Sequence, residues 1–238
     1  MKILVTNDDG IQAESLKTLV KKAMQFGEVI CIAPIEEQSG KSQSLIIKEP
    51  FIFKQVEDII EGVKTYVISS TPADCVRVAY SLLDKDYDLI LSGVNDGYNL
   101  GEDIHYSGTM AAATEAAILG KKTIAFSTKF NDVDKIYNDL SKVMEYIMEN
   151  KLLDVWPLYN VNIPLSYKGI KFAGQGHTHF EIIFDQNGDY VRSVGRPVIF
   201  GDDSEESDVQ VVFENYVSIA PLRYNRTNKD IINKLVIK

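Results

Sequence analysis

The sequence predicts an α/β protein: a doubly wound unit on a parallel sheet, followed by a β-rich appendage. Three observations predict it. A buried strand, an amphipathic helix and a second buried strand follow one another from the N-terminus. Two further buried runs, at 88–93 and 123–127, flank an alanine-rich helix. Residues 171–194 then alternate around the turn signal Asn187-Gly188.

Taken in order, KILVT at 2–6 is a short β-branched apolar run, which predicts a strand. Ile11, Leu16, Leu19, Val20 and Met24 fall close to helical spacing and predict a helix within 11–25. VICIAP at 29–34 is a second strand stopped by Pro34, and the polar stretch 35–44 is a loop. Residues 45–69 hold three β-rich pieces, LIIK, FIFKQV and TYVISS. PADCVRVAYSLL at 72–83 reads as a helix with proline at its first position. DLILSG at 88–93 is a strand, and the long loop VNDGYNLGEDIHYSG leads from it to the helix at 109–119, ended by Gly120. TIAFS at 123–127, a helix at 134–150 and LYNVNIP at 158–164 complete this half, so the first unit is placed at 1–165 and the extension at 166–238, as parts of one compact domain. In the extension, GDDSEESD at 201–208 reads as a solvated acidic loop, VSIAPL at 217–222 as a strand and NKDIINKLVI as a terminal helix.

Composition narrows the function. The chain has 238 residues, 45% of them hydrophobic and 25% charged, and a formal net charge of -9. Surfaces that hold nucleic-acid backbones are basic, so no nucleic-acid polymer is expected as a partner. A small anion remains compatible, given a divalent cation or a ring of backbone N–H groups. No apolar stretch reaches the about 18 residues of a membrane span, and MKILVTNDDG is not a signal peptide. Cys31 and Cys75 each sit in an apolar segment, as free thiols of a reducing compartment do, which predicts the cytoplasm and no membrane partner.

Open parallel sheets bind ligands beyond the carboxyl ends of their strands. Asn7-Asp8-Asp9-Gly10 follows the first strand, Gln38-Ser39-Gly40 the second, Thr71-Pro72-Ala73-Asp74 the TYVISS strand, and Asn95-Asp96-Gly97 the next, with Ser107-Gly108-Thr109 beyond it. Asp8 and Asp9 read either as a tight turn with a helix cap or as a cation site. Adjacent carboxylates repel unless something positive sits between them, and a hard ion such as Mg²⁺ with oxygen ligands does this. Asn95 can add a carbonyl oxygen and Ser39 a hydroxyl. Ser107-Gly108-Thr109 opens the alanine-rich helix, as a cap or as an anion site at the helix N-terminus. His105 reads as a loop histidine or a substrate contact, and His177 and His179 share one face of a strand, as a metal pair or, with no third ligand evident nearby, in a structural role. Asp74 supports a helix start or a loop, and Arg77 pairs with it or with an anion.

The chain resembles the SurE survival-protein family. The resemblance rests on ILVTNDDG at 3–10, APIEEQSGKS at 33–42, STPADCV at 70–76, the long segment at 89–116, NVNIP at 160–164 and YVSIAPL at 216–222. Ala116 departs from the family's usual glycine, and GQGHTHFEIIF lies outside these motifs. The resemblance implies a Rossmann-like three-layer unit whose C-terminal part forms oligomers, a homodimer or homotetramer. It implies one divalent ion, Mg²⁺ or Mn²⁺, at Asp8, Asp9, Ser39 and Asn95, and hydrolysis of nucleoside 5′-monophosphates, with 3′-nucleotides and short polyphosphate as further substrates. Together these predict a phosphomonoesterase with Asp8 and Asp9 as its catalytic pair, Asp8 being the one expected to orient or deprotonate the water, and Gly40, Ser107, Gly108 and Thr109 around the phosphate. A signalling receiver domain also pairs acidic residues with Mg²⁺, but LIIKEPFIFKQV offers no phospho-accepting aspartate. A catalytically silent nucleotide-binding module is the other rival, and the intact set of four oxygen ligands argues against it.

Overall fold

A computed structural model describes residues 1–129, 133–199 and 206–235. The strands in chain order are β1 (Lys2–Thr6), β2 (Glu28–Pro34), β3 (Phe53–Val56), β4 (Thr65–Ile68), β5 (Leu89–Asp96), β6 (Lys122–Thr128), β7 (Leu158–Ile163), β8 (Ile170–Phe172) and, after the short strands β9 (Thr178–Phe180), β10 (Phe184–Asn187), β11 (Tyr190–Ser193) and β12 (Pro197–Ile199), β13 (Val217–Pro221). Nine of them form the central sheet, in the order β3-β4-β2-β1-β5-β6-β7-β13-β8. From β4 to β7 every pairing is parallel; only β3, against β4, and β13, against β7, run antiparallel. The expected three-layer α/β architecture is therefore present.

Both faces are covered, and β1 shows why. Ile3 and Val5 enter one apolar core and Leu4 the other, the period of two that a strand imposes. Helices α1 (Glu14–Ala23) and α4 (Val133–Glu149) pack on the first face through Leu16, Leu19, Val20, Leu140, Val143 and Ile147. Helices α2 (Pro72–Val78) and α3 (Gly108–Ile118) pack on the second through Cys75, Val76, Ala112 and Ala116. Alanine at 111–113 and 116–117 keeps α3 thin enough to be buried almost all round. Its end is chemically fixed: Gly120, at φ +75°, lets Lys121 N–H reach Ala116 O and Gly120 N–H reach Ala117 O.

Several sequence expectations need correction. LIIK at 45–48 forms no strand; Ile47 is 85% exposed, and the Ile46 amide donates to Asp74 Oδ2 rather than to a ladder. The helix expected over 72–83 changes after Val78 into a π-helical turn, Ala79–Leu83. Arg77 pairs with Glu115 on α3, at 2.9 Å, and not with Asp74. The hairpin β10 (Phe184–Asn187) with β11 (Tyr190–Ser193) exists, but Asn187 pairs with Tyr190, so Gly188 and Asp189 form the turn. Residues 201–205 of the acidic run lie outside the described residues. Its end is not solvated: Ser207 and Asp208 are both 1% exposed, and they open helix α6 (Asp208–Phe213), which the charge run concealed. The extension shares the main sheet with the first unit, where β13 lies between β7 and β8.

Candidate active site at the sheet's switch point

The chain leaves β1 for β2 on one side, and β5 pairs with β1 on the other. The crevice beyond their carboxyl ends is where this class of sheet binds ligands. Asn7, Asp8 and Asp9 follow β1 into it; Asn95 and Asp96 end β5 there, after a register shift between Ser92 and Asn95. Gly93 permits that shift, because a Cβ there would stand 2.4 Å from Phe126 O.

Asp8 is buried and is gripped from α3. The Thr109 hydroxyl donates to its Oδ1, and Gly108 passes so close that an added Cβ would lie 2.7 Å from Asp8 Cβ. Burial pushes the Asp8 carboxyl up, while the Thr109 hydroxyl and the amides of Thr109, Asp8 and Gly108 favour its charge. Helix α3 thus aims its positive end at a carboxylate of the chain itself. The space beside Gly108, expected to admit phosphate, is taken by Asp8. Ser107 caps α3 by accepting the Met110 N–H at 3.1 Å, which leaves its own hydroxyl proton free to donate.

Asp9 is half-buried, and its pKa is pushed up to about 7, first by burial and then by the charge of Asp8; the Asp96 amide opposes this, while Glu37 and Asp96 add to it. Its Oδ2 and the neighbouring Asn7 Oδ1 are buried without a hydrogen-bond partner. The second loop arrives through Gln38, whose amide donates to Asp8 O at 2.7 Å. Ser39, the next residue, donates its hydroxyl to Glu37 Oε1 at 2.6 Å, and Gly40 follows at φ +68° with open space around it. Asn95 donates its Nδ2 to Gly97 O at 2.7 Å, leaving Oδ1 as the acceptor end. The structure therefore sets Gly108 and Thr109, which follow the Ser107 cap, against Asp8, and it brings the loop of Ser39 and Gly40, through Gln38, and the end of β5 with Asn95, through Asp96, to the same strand ends.

Among the described residues, no group of three or more His, Cys, Asp or Glu is arranged to hold a metal. The crevice instead mixes two carboxylates with neutral oxygens, a set suited to a hard divalent ion that keeps part of its water. It fits such an ion on two counts: Asp9 Oδ2 and Asn7 Oδ1 are orphaned, and no lysine or arginine among the described residues pairs with Asp8, Asp9 or Glu37.

Sequence reasoning passed over Glu37, two residues before Ser39, although its carboxylate acts on both Ser39 and Asp9. It also passed over Glu115, buried on α3, which holds Arg77 and accepts from Gln43 Nε2 at 3.1 Å. His177 pairs with Glu102 Oε1 at 2.7 Å, away from the crevice, and His105 lines a neighbouring cavity.

Comparison with known proteins gives concordant results. The sequence matches the family described as Survival protein SurE over residues 3–182. It is similar to the protein named 5′-nucleotidase SurE from Alkaliphilus metalliredigens (strain QYMF), 36% identical over 99% of this chain and 97% of that one. It is also similar to 5′-nucleotidase SurE from Clostridium botulinum (strain ATCC 19397 / Type A), 38% identical over 98% of this chain and 97% of that one. Among solved structures, the SurE protein from Aquifex aeolicus superposes with a TM-score of 0.79 at 32% identity, covering 99% of this chain and 98% of its own.

Proposed function

The chain belongs to the Survival protein SurE family, and on that premise we propose that it is a divalent-metal-dependent 5′-nucleotidase, hydrolysing nucleoside 5′-monophosphates to nucleoside and phosphate. The single observation that carries the metal dependence is the crowding of Asp8, Asp9 and Glu37 around buried oxygens that lack any donor. Mg²⁺ or Mn²⁺ would be held by Asp8, Asp9, Ser39 and Asn95, one ion per chain. When bound, such an ion polarises phosphoryl oxygens and activates water for attack on phosphorus.

The chain's own groups do the rest. Thr109 and the start of α3 hold Asp8 in one orientation. Because Asp8 is so fully engaged, the orienting of the attacking water, expected of Asp8, falls instead to Asp9, whose carboxylate is less enclosed. The Ser107 hydroxyl proton and the Gly40 amide are the donors left for phosphate oxygens, with the positive end of α3 at Gly108 and Thr109 behind them. Charge that spreads over the phosphoryl oxygens meets fixed donors that need not reorganise.

The same site is proposed to accept 3′-nucleotides and short polyphosphate. A homodimer or homotetramer is supported by the extension, where Ile182 (89% exposed), Phe184, Tyr190 and Val191 stand apolar in solvent. Two buried free thiols support a cytoplasmic location. Among the described residues, no helix is long and apolar enough to cross a membrane.

The experiment is phosphate release from AMP with Mn²⁺, with and without chelator. The proposal expects release that chelator abolishes and Mn²⁺ restores. Release that is indifferent to chelator would overturn the metal dependence, and none under any metal would overturn the nucleotidase.

A further inference from the structure

Beside the crevice lies a cavity of about 350 Å³, within the range that small ligands fill. Ser107 is on its wall, one residue before the Gly108 that touches Asp8, so the cavity begins where the proposed phosphate site ends. Its floor is apolar, with Met110 from α3 and Leu222 just beyond β13. His105 joins the wall from the long loop.

The cavity's charge is out of keeping with the molecule. The chain carries 34 acidic against 25 basic residues, yet the lining of this cavity contains no Asp or Glu and two arginines, Arg223 and Arg226. Among the described residues neither arginine forms an ion pair. Arg223 lies over the Trp156 ring, 5.6 Å from its centre, a contact that leaves its charge unneutralised; both arginines also line the adjoining hollow that holds Trp156. Arg226 has no contact of that kind among the described residues. A guanidinium presents a planar fork of donors matched to phosphate oxygens. Nothing in a nucleoside leaving group calls for two of them, since ribose and base are uncharged.

Resting on the nucleotidase reading above, we propose that Arg223 and Arg226 form a second-anion subsite that selects nucleotides carrying another phosphate on the leaving group, the nucleoside 3′,5′-bisphosphates. One phosphate sits at the carboxylate crevice. The nucleoside lies over Met110 and Leu222, and the remaining phosphate meets the arginines. Water adds to the phosphorus in the crevice, the phosphorus–oxygen ester bond there breaks, and a proton passes to the departing ribose oxygen. Inorganic phosphate and a nucleoside monophosphate leave, the second phosphate intact. No oxidant or co-reactant is needed.

The test compares AMP with adenosine 3′,5′-bisphosphate in the wild type, in Arg226→Gln and in the double variant Arg223→Gln/Arg226→Gln. Two readouts are taken: kcat/KM with Mn²⁺, and calorimetric affinity in chelator, where turnover is not required. The wild type is expected to favour the bisphosphate about tenfold or more, the scale of one charge-assisted hydrogen bond. Arg226→Gln should lose most of that preference and the double variant all of it, with AMP turnover little changed. A wild type that does not distinguish the two ligands, or a preference that survives in the double variant, overturns the subsite. The two readings separate cleanly. If neither nucleotide is hydrolysed but the bisphosphate binds tighter through the arginines, the nucleotidase falls and the subsite stands. If AMP is hydrolysed and the bisphosphate gains nothing, the subsite alone falls.

Discussion

Gly108 is the residue on which the crevice turns. Its missing side chain lets the start of α3 close on Asp8, with Asp8 Cβ 2.7 Å and Oδ2 2.9 Å from where a methyl group would stand. Gly108→Ala is expected to cost about 1–3 kcal/mol of stability, as overpacking does, and to lower phosphate release by displacing Asp8. Denaturant unfolding and AMP turnover on the same variant check both; a variant with wild-type values in each would show that the contact is not needed. Thr109→Val removes the hydroxyl that donates to Asp8 Oδ1 and should also slow turnover, with Thr109→Ser restoring most of it. At this scale the sequence was informative wherever polar residues cluster at the carboxyl end of a strand, as Asp8 and Asp9 do just past β1 and Asn95 does at the end of β5. It was silent on Glu37 and Glu115, whose importance comes from what the fold sets beside them. Asp9 is pressed by Glu37 from a different loop, and Glu115 meets Arg77 from a different helix.

The long loop between β5 and α3 is held by the extension. Asp208, buried at the start of α6, accepts the amides of Gly176 and Val209 at 2.8 Å and of Gly101 at 3.1 Å. Glu102 in turn accepts from the Thr178 amide and pairs with His177. Asp208→Ala strands those amides, and a buried unsatisfied donor costs about 1–3 kcal/mol. Hydrogen exchange at Gly101 and Gly176 should accelerate together; unchanged protection would show that the latch does not hold the loop. Asn99 fastens the same loop from the sheet side, its amide on Asn162 Oδ1 and its carbonyl accepting from Asn160 and Asn162. The latch also carries a pH signature. Burial pushes the Glu102 carboxyl up, but the hydrogen bonds from His177 and Thr178 outweigh it and hold the carboxyl below the usual range. A pKa lower in the folded chain stabilises it above the unfolded value of about 4.3, and the contribution is lost as pH falls through the folded value. Glu102→Gln should therefore lose less stability than wild type between pH 7 and about pH 3, measured by urea unfolding; an identical loss would place the ion pair outside the energetics. None of this was legible beforehand. The acidic run masks α6, because a charge-rich string looks solvated until one of its carboxylates is given backbone amides to accept.

For the whole molecule, the doubly wound core was legible because its strands are continuous apolar runs and its helices have a clear period or an alanine signature. LIIK misled for the same reason: four residues rich in β-formers carry no information about whether a neighbouring strand exists to receive them. Both thiols lie in the two apolar cores, Cys31 on one side of the sheet and Cys75 on the other, and burial pushes each thiol up. Neither should react with a thiol reagent in the native protein, and both should react on global unfolding; fast labelling of the native state would contradict the packing described here. The molecule as a whole repels anions, so its proposed chemistry depends on concentrating positive charge at one crevice. Calorimetric titration of Mn²⁺ into chelator-treated protein tests that dependence most directly. One ion per chain should bind the wild type, and Asp9→Asn should weaken it by about tenfold or more, the effect of losing a charged ligand. A wild type that takes up no ion, or an Asp9→Asn variant that binds it as tightly, would contradict the account.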